Sequence, residues 1–157
     1  MLFRSTLTEA AKLRDAFFRA YSQFRQWQKT QSRKVAGSPG MLAHTRLGRP
    51  VECTKPVEDG GPFHYTRSLN VPIQGSCAEA LLEALAALPE AITDLDAAPA
   101  LCVHDEIILS VAETDAEEAA RRLERVMAKA FLRIYPNHPD IGLAEASIGR
   151  DWAEAKP

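Results

Sequence analysis

Residues 101–111, with the sequence LCVHDEIILSV, place three ionisable side chains between two apolar stretches. Apolar residues alternate with other residues on both sides of the triplet, at Leu101, Val103, Ile107, Leu109 and Val111. Such alternation predicts two β-strands, and so short a polar interruption predicts a tight hairpin turn between them. The pattern therefore places His104, Asp105 and Glu106 at the tip of a hairpin.

A helix is predicted before the hairpin, over the sequence VPIQGSCAEALLEALAAL. Asn70 lies two residues ahead of Pro72, which is a helix-start signal because proline is tolerated in the first turn. The apolar stripe of this helix follows a 3.6-residue period through Ile73, Cys77, Leu81, Leu85 and Leu88. The helix is expected to end near Pro89.

A second helix is predicted after the hairpin, where Thr114 and Glu117 fit a capping box. Its apolar face consists of Ala119, Leu123, Val126, Ala130 and Ile134. The sequence LAEASIG is interpreted as a short final strand. Residues 67–157 thus predict an α-β-β-α-β segment, an α+β layer with helices on one face of the sheet.

Residues 1–66 predict a helical segment followed by loops rich in glycine and proline, with one or two short hairpin strands. Thr6 and Glu9 fit a capping box, so a helix is expected to begin near Leu7 and to break near Ser22. Apolar residues recur at helical spacing at Ala10, Leu13, Phe17, Tyr21 and Phe24. We interpret these aromatic residues as core, with base stacking as the alternative, and expect one compact unit with residues 67–157.

Charge is distributed unevenly along the 157 residues, although the formal net charge is only −2. Residues 1–70 hold 12 Lys and Arg against 5 Asp and Glu, whereas residues 71–157 hold 7 against 16. A basic half suits a polyanion such as DNA and an acidic half suits divalent cations, with solvated helix faces as the alternative. No apolar run of membrane length and no signal-peptide pattern occur, so a cytoplasmic protein without membrane contact is expected.

Three interpretations of the polar turn remain open from the residues alone. A carboxylate on a hairpin tip is well placed to hold Mg²⁺, which takes few protein ligands. A polar turn without function is equally compatible. A hydrolytic triad is disfavoured, because adjacent strand residues such as His104 and Asp105 point to opposite faces.

Two motifs in this order resemble the C-terminal part of the family A DNA polymerases, the bacterial DNA polymerase I family. The closer likeness is to its phage- and plasmid-borne branch. The pattern N-x-P-x-Q-G-[TS]-x-A-[DE] is filled by Asn70, Pro72, Gln74, Gly75, Ser76, Ala78 and Glu79, and VHDE follows at 103–106. The tail IGRDWAEAK resembles the family's final strand, LTEAAKLRDAFFRAYSQFRQW resembles its fingers helices, and TRLGRP resembles its T-L-x-G-R hairpin.

The resemblance implies a fingers-like segment over residues 1–66 and a partial palm over residues 67–157. It implies that Asp105 binds catalytic Mg²⁺ and that Glu106 supports it. It also implies primer–template DNA contacts for four residues, which are His104, Gln74, Asn70 and Arg67. Minor-groove contacts suit an enzyme that copies any sequence, because that groove barely distinguishes base pairs.

The family's motif A, with the first catalytic aspartate, and its motif B, which holds the triphosphate, are not found in this sequence. Two-metal phosphoryl transfer needs a second carboxylate, so the chain is expected to be truncated before these motifs and inactive alone. The open sheet edge beside the hairpin is expected to pair with a separately encoded N-terminal half, or with a second copy.

Three hypotheses about function follow. The first is a C-terminal piece of a DNA polymerase that contributes Asp105 to nucleotidyl transfer in DNA replication or repair. The second is a non-catalytic module that binds DNA or a partner protein. The third is a prophage remnant that folds without activity.

Overall fold

The structure is a computed structural model, and it describes residues 6–55 and 62–156. Its contacts divide the chain into two compact units. The first unit contains the described residues up to His44 together with Arg49–Pro72, and the second contains Thr45–Gly48 and the residues from Ile73 onward. Helices and two small antiparallel sheets make up these units, so the predicted α+β class is confirmed. The predicted domain division between residues 66 and 67 stays a prediction.

The first unit begins with two helices, α1 (Leu7–Ala20) and α2 (Ser22–Ala36). The capping box is confirmed, since the Thr6 hydroxyl accepts from the Glu9 N–H at 3.2 Å and the Glu9 carboxylate accepts from the Thr6 N–H at 2.8 Å. These bonds satisfy donors that the first helical turn leaves unpaired. The predicted break falls at Tyr21, whose φ of −112° and ψ of 57° end α1.

A short hairpin and a further helix complete this unit. Strands β1 (Leu42–His44) and β2 (Pro50–Glu52) pair antiparallel, and α3 (Tyr65–Asn70) follows. The buried core consists of Val35, Ala43, Cys53 and Val71, with Val51 and Phe63 packed against it.

The aromatic residues of α1 and α2 do not form that core, so their interpretation as core is wrong. Helix α1 has no buried residue, and Phe17, Tyr21 and Phe24 are 47%, 58% and 40% exposed. They contact each other instead, with ring centroids 4.8 Å apart for Phe17 and Tyr21 and 6.2 Å apart for Phe17 and Phe24.

The second unit is a hairpin packed on two helices. Its elements are α4 (Ser76–Ala91), β3 (Ala97–Val103), β4 (Glu106–Val111), α5 (Ala116–Ile134) and the short α6 (Trp152–Ala155). The predicted apolar face of α5 is confirmed, with Ala119, Ala130 and Ile134 buried. The core of the unit consists of Ala84, Leu88, Ile92, Ile107 and Ala130.

The helix before the hairpin begins earlier than predicted. It starts at Tyr65, where the His64 ring accepts from the Arg67 N–H, and it passes through a π-helical turn at Val71–Gly75 into α4. Pro72 lies inside this turn because a proline lacks the N–H that the regular helical ladder needs. Asn70 is thus the last residue of α3 rather than a helix cap. Pro89 lies inside α4, so the predicted end is two residues early.

The predicted apolar stripe of α4 is confirmed in its second half, where Leu88 is buried and Leu81 and Leu85 pack against the core, and it is wrong in its first half. Ser76, Glu79, Ala80, Ala84 and Leu88 are buried, whereas Ile73 is 45% exposed and Cys77 is exposed. The helical run Tyr65–Ala91 reaches a mean hydropathy of 1.2, so length and composition alone would allow it to cross a membrane, contrary to expectation. Ala84 and Leu88 of this run lie in the core of the second unit.

Two smaller predictions about the second unit are wrong. Helix α5 begins after a 3₁₀ turn at Glu113–Asp115 without a side-chain cap, because the Asp115 carboxylate accepts from the Asp96 N–H at 2.8 Å. The sequence LAEASIG forms no strand, and residues 144–149 carry no regular secondary structure. The Glu124 carboxylate accepts from the Ala146 N–H at 2.8 Å and fastens this segment to α5.

We expect Leu88→Ala to destabilise the chain by about 2–5 kcal/mol, because Leu88 is fully buried and its removal leaves a cavity. Leu82→Ala, on the same helix at a side chain that is 50% exposed, serves as the matched control and should cost about 0.5 kcal/mol or less. Urea unfolding followed by circular dichroism measures both. Equal losses in the two variants would contradict the packing described for α4.

Candidate functional site

The turn between β3 and β4 has two residues, His104 and Asp105. Val103 pairs with Glu106 across the hairpin, so Glu106 is the first residue of β4 and lies outside the turn. His104 has a φ of 56°, the left-handed region that costs a non-glycine residue about 1–2 kcal/mol. A positive φ at the first central residue only is the sign pattern of a type II′ turn, which matches the twist of the flanking strands.

The apolar residue that follows the turn is what fixes the tip. Ile107 is 7% exposed and lies in the core of the second unit, whereas Asp105 is exposed. Successive strand residues point to opposite faces, so burial of Ile107 directs Glu106 away from the core. The Asp105 carboxylate is therefore held at an accessible tip, which leaves its oxygens available to a ligand.

Glu106 has a contact within the chain. Its carboxylate lies 3.9 Å from the Lys156 ammonium, which in turn lies 5.1 Å from the centre of the Trp152 ring. The Asp151 carboxylate caps α6 by accepting from the N–H groups of Ala153 and Glu154. Because the ion pair is half-exposed, its contribution to stability is small. It nevertheless places a cation beside the acidic turn.

A groove of about 660 Å³ runs beside the turn. It is lined by β4, by one face of α5 and by residues 143–151. Gly149 lies on its rim and cannot carry a side chain, since a Cβ atom there would lie 2.5 Å from the backbone N of Ala155. The three walls of the groove are thus a strand, a helix and an irregular segment in which Gly149 allows close packing against α6.

The remaining predicted contacts lie apart from the turn in sequence. Arg67 and Asn70 are exposed on α3 in the first unit, and Gln74 is exposed in the π-helical turn in the second. Within residues 6–55 and 62–156, none of these three side chains has a hydrogen-bond partner, so all three have unused donors. His104, Asp105 and Glu106 lie together because they are consecutive at the end of the hairpin.

Sequence reasoning missed a buried polar network that holds the loop at 45–48. Glu79 is 3% exposed, and its carboxylate accepts from the Thr45 hydroxyl at 2.7 Å and from the Leu47 N–H at 3.4 Å. The Ser76 hydroxyl accepts from the Arg46 N–H at 2.9 Å. Ser76 and Glu79 lie off the predicted apolar stripe, so the helical period gave no signal for this network.

Tyr135 borders the same network. The Arg46 guanidinium lies 4.8 Å from the centre of the Tyr135 ring, within cation–π distance. Burial raises the pKa of Tyr135 above its ordinary value, although a hydrogen bond to Ser76 acts in the opposite direction. The loop and the end of α5 are thus fastened to α4 by polar contacts.

No group of three or more His, Cys, Asp or Glu side chains lies close enough to hold a metal ion in the part of the chain that the structure describes. Mg²⁺ does not require such a group, since it is usually bound by one or two carboxylates together with water and substrate phosphates. The oxygen donors of Asp105 and Glu106 fit a partial site of this kind.

Comparison with known proteins identifies the family. A family model for DNA polymerase family A matches residues 3–154. The DNA polymerase I of Geobacillus stearothermophilus is 28% identical over 155 residues, which cover 96% of this chain and 17% of that polymerase. The thermostable DNA polymerase I of Thermus caldophilus is 26% identical over 155 residues, or 94% of this chain and 17% of the relative.

A solved structure agrees with these relatives. The POL domain of Pol1 from M. smegmatis, in a complex with DNA primer-template and dNTP, matches 96% of this chain and 26% of its own length, with a TM-score of 0.77 and 26% identity. The chain belongs to DNA polymerase family A. The resemblance predicted from the two motifs is confirmed for the family, and the phage- and plasmid-borne branch stays a prediction.

We expect Glu79→Ala to destabilise the second unit by about 1–3 kcal/mol, because it leaves the buried Thr45 hydroxyl without its carboxylate partner. Glu90→Ala, at an exposed position on the same helix, is the control and should change stability by about 0.5 kcal/mol or less. Thermal unfolding compares the two. A Glu79 variant as stable as the Glu90 variant would show that the network does not hold the loop.

Proposed function

We propose that this chain supplies the metal-binding turn and part of the DNA-binding surface of a template-directed DNA polymerase. The observation that carries the proposal is the exposed carboxylate of Asp105 on a hairpin tip of fixed register, in a chain of family A. The primer 3′-hydroxyl would attack the α-phosphate of a deoxynucleoside triphosphate, and pyrophosphate would leave. Such a role implies the cytoplasmic compartment.

Asp105 is the residue that we propose to hold Mg²⁺, with Glu106 in support. When bound, the ion would neutralise charge on the transferring phosphate. The exposed Asp105 carboxylate meets the requirement for an accessible oxygen ligand. Glu106 is half-exposed and its carboxylate already lies 3.9 Å from the Lys156 ammonium. We therefore propose that it contributes less than Asp105 to binding the ion.

Primer–template contacts are proposed for Arg67, Asn70, Gln74 and His104. All four are exposed, and the first three have no hydrogen-bond partner in the described part of the chain. Amide groups such as those of Asn70 and Gln74 can donate to minor-groove acceptors, which are nearly alike for all base pairs. The Arg67 guanidinium suits a phosphate, because its donors form a planar fork.

A second polypeptide segment is proposed to complete the site. In the described residues β4 pairs with β3 alone, so its other edge has unpaired backbone groups. The groove beside β4 is open to an added strand, a recurring mode of peptide recognition. We propose the remaining part of a family A polymerase as the occupant, whether on the same or another polypeptide, and a second copy of this chain as the alternative.

Two other functions are favoured less. A non-catalytic module that binds DNA or a partner is compatible with the basic residues 1–70, and a prophage remnant would bind neither. DNA binding that survives the loss of Asp105 without any polymerase activity would favour the module. Absence of both DNA binding and partner binding would favour the remnant.

We expect a polypeptide of these 157 residues to extend no primer alone, and to support extension when the remaining part of a family A polymerase is added. Asp105→Asn should then lower the extension rate by about 10³-fold or more, roughly 4 kcal/mol of barrier, because one metal carboxylate is lost. Asp140→Asn, an exposed aspartate away from the turn, should leave the rate unchanged. Extension by the 157-residue chain alone would refute the expected inactivity, and full activity of Asp105→Asn would refute its role.

We expect His104→Gly to weaken primer–template binding several-fold while the hairpin remains folded, because glycine adopts the positive φ of this position without strain. His104→Ala removes the same ring but keeps the strain, so it separates the loss of the imidazole from any change in the turn. Fluorescence anisotropy with a labelled primer–template measures binding. Unchanged affinity in both variants would remove His104 from the proposed DNA contacts.

A further inference from the structure

Helix α2 carries a stripe of positive charge that the proposed function does not use. Arg25, Lys29 and Arg33 follow each other at four-residue spacing, which places them on one face of the helix. All three are exposed, and the helix contains no Asp or Glu. The apolar side of the helix lies elsewhere, since its one buried residue is Val35.

Within residues 6–55 and 62–156, no carboxylate forms an ion pair with Arg25, Lys29 or Arg33. Helix α5 gives the contrast, because its cations Arg121 and Arg133 pair with carboxylates at 2.7 Å and 2.6 Å. Helix α2 therefore differs from α5 in that no acid on the same helix offsets its cations.

We propose that the stripe of Arg25, Lys29 and Arg33 binds the sugar–phosphate backbone of DNA. The rise of 1.5 Å per residue spreads the three cations over about 12 Å, comparable with the length of duplex axis that three or four base pairs occupy at 3.4 Å each. The side chains contact no base in such a mode, so binding is independent of sequence. This inference rests on the proposed function in taking DNA as the ligand, and it adds a contact outside the turn.

The decisive quantity is the salt dependence of binding. Each phosphate neutralised by a cation contributes about −0.7 (single strand) to −0.9 (duplex) to the slope of log Kobs against log salt concentration. Removal of the stripe in Arg25→Gln/Lys29→Gln/Arg33→Gln should therefore reduce the magnitude of the slope by about 2–3. Affinity at low salt should fall tenfold or more.

Helix α5 offers a matched control. Arg121→Gln/Arg125→Gln/Lys129→Gln removes the same number of charges at the same spacing, from a helix that also carries glutamates. Both triple variants are measured in the full 157-residue chain by anisotropy, with an oligothymidylate and with a duplex as probes. The two probes show whether a single strand or a duplex supplies the phosphates, and circular dichroism checks the fold.

The proposal is supported if the α2 variant loses slope and affinity on either probe while the α5 variant keeps both. It is overturned if the α2 variant binds like the original chain, or if both variants lose equally, since general electrostatics then suffices. An original chain that binds neither probe would overturn the proposed DNA-binding function as well. Normal binding with an unaffected α2 variant would overturn the stripe alone.

Discussion

Burial of Ile107 in the core of the second unit is the constraint on which the candidate site depends. Side chains alternate along a strand, so a slip of one residue would bury Glu106 and expose the isoleucine. The packing of Ile107 against Ala84, Leu88 and Ala130 opposes that slip. Asp105 thus lies at the tip because an apolar neighbour is held by the core. The accessible carboxylate is a consequence of packing rather than of the polarity of the turn.

The sequence was sufficient for elements whose patterns are local. The hairpin, the apolar face of α5 and the Thr6 cap each depend on residues a few positions apart, and all three are confirmed. The helical run begins at Tyr65, seven residues before Pro72. Its start was missed because the proline was taken as the first turn of the helix, whereas it lies inside the run. The prediction of a final strand was wrong for a different reason. A strand needs a partner strand to pair with, and the local sequence does not show whether one is present.

The candidate site also contains one part that local sequence predicts and another part that depends on residues distant in the chain. Asp105 was found from its position in a motif, and its exposure agrees with the role assigned to it. Burial of Glu79 depends on a loop more than 30 residues earlier in the chain, which no periodicity reveals. The spacing of the α2 stripe is visible in the sequence, but the lack of ion pairs to the stripe among the described residues is not. Only coordinates separate a compensated helix such as α5 from an uncompensated one.

The uneven charge along the chain suits the proposed function, because a DNA enzyme that depends on a metal ion needs both carboxylates and cations. Carboxylates that hold a cation also repel phosphates, by about 4 kcal/mol for two unit charges 4 Å apart near a protein surface. Here the net charge of residues 1–70 is +7 and that of residues 71–157 is −9. In the proposed function, the cations of residues 1–70 can attract the DNA backbone, so few cations are needed next to Asp105. Because exposed charges are screened over about 8–10 Å in physiological salt, the attraction proposed for the α2 stripe would act only on phosphates close to that helix.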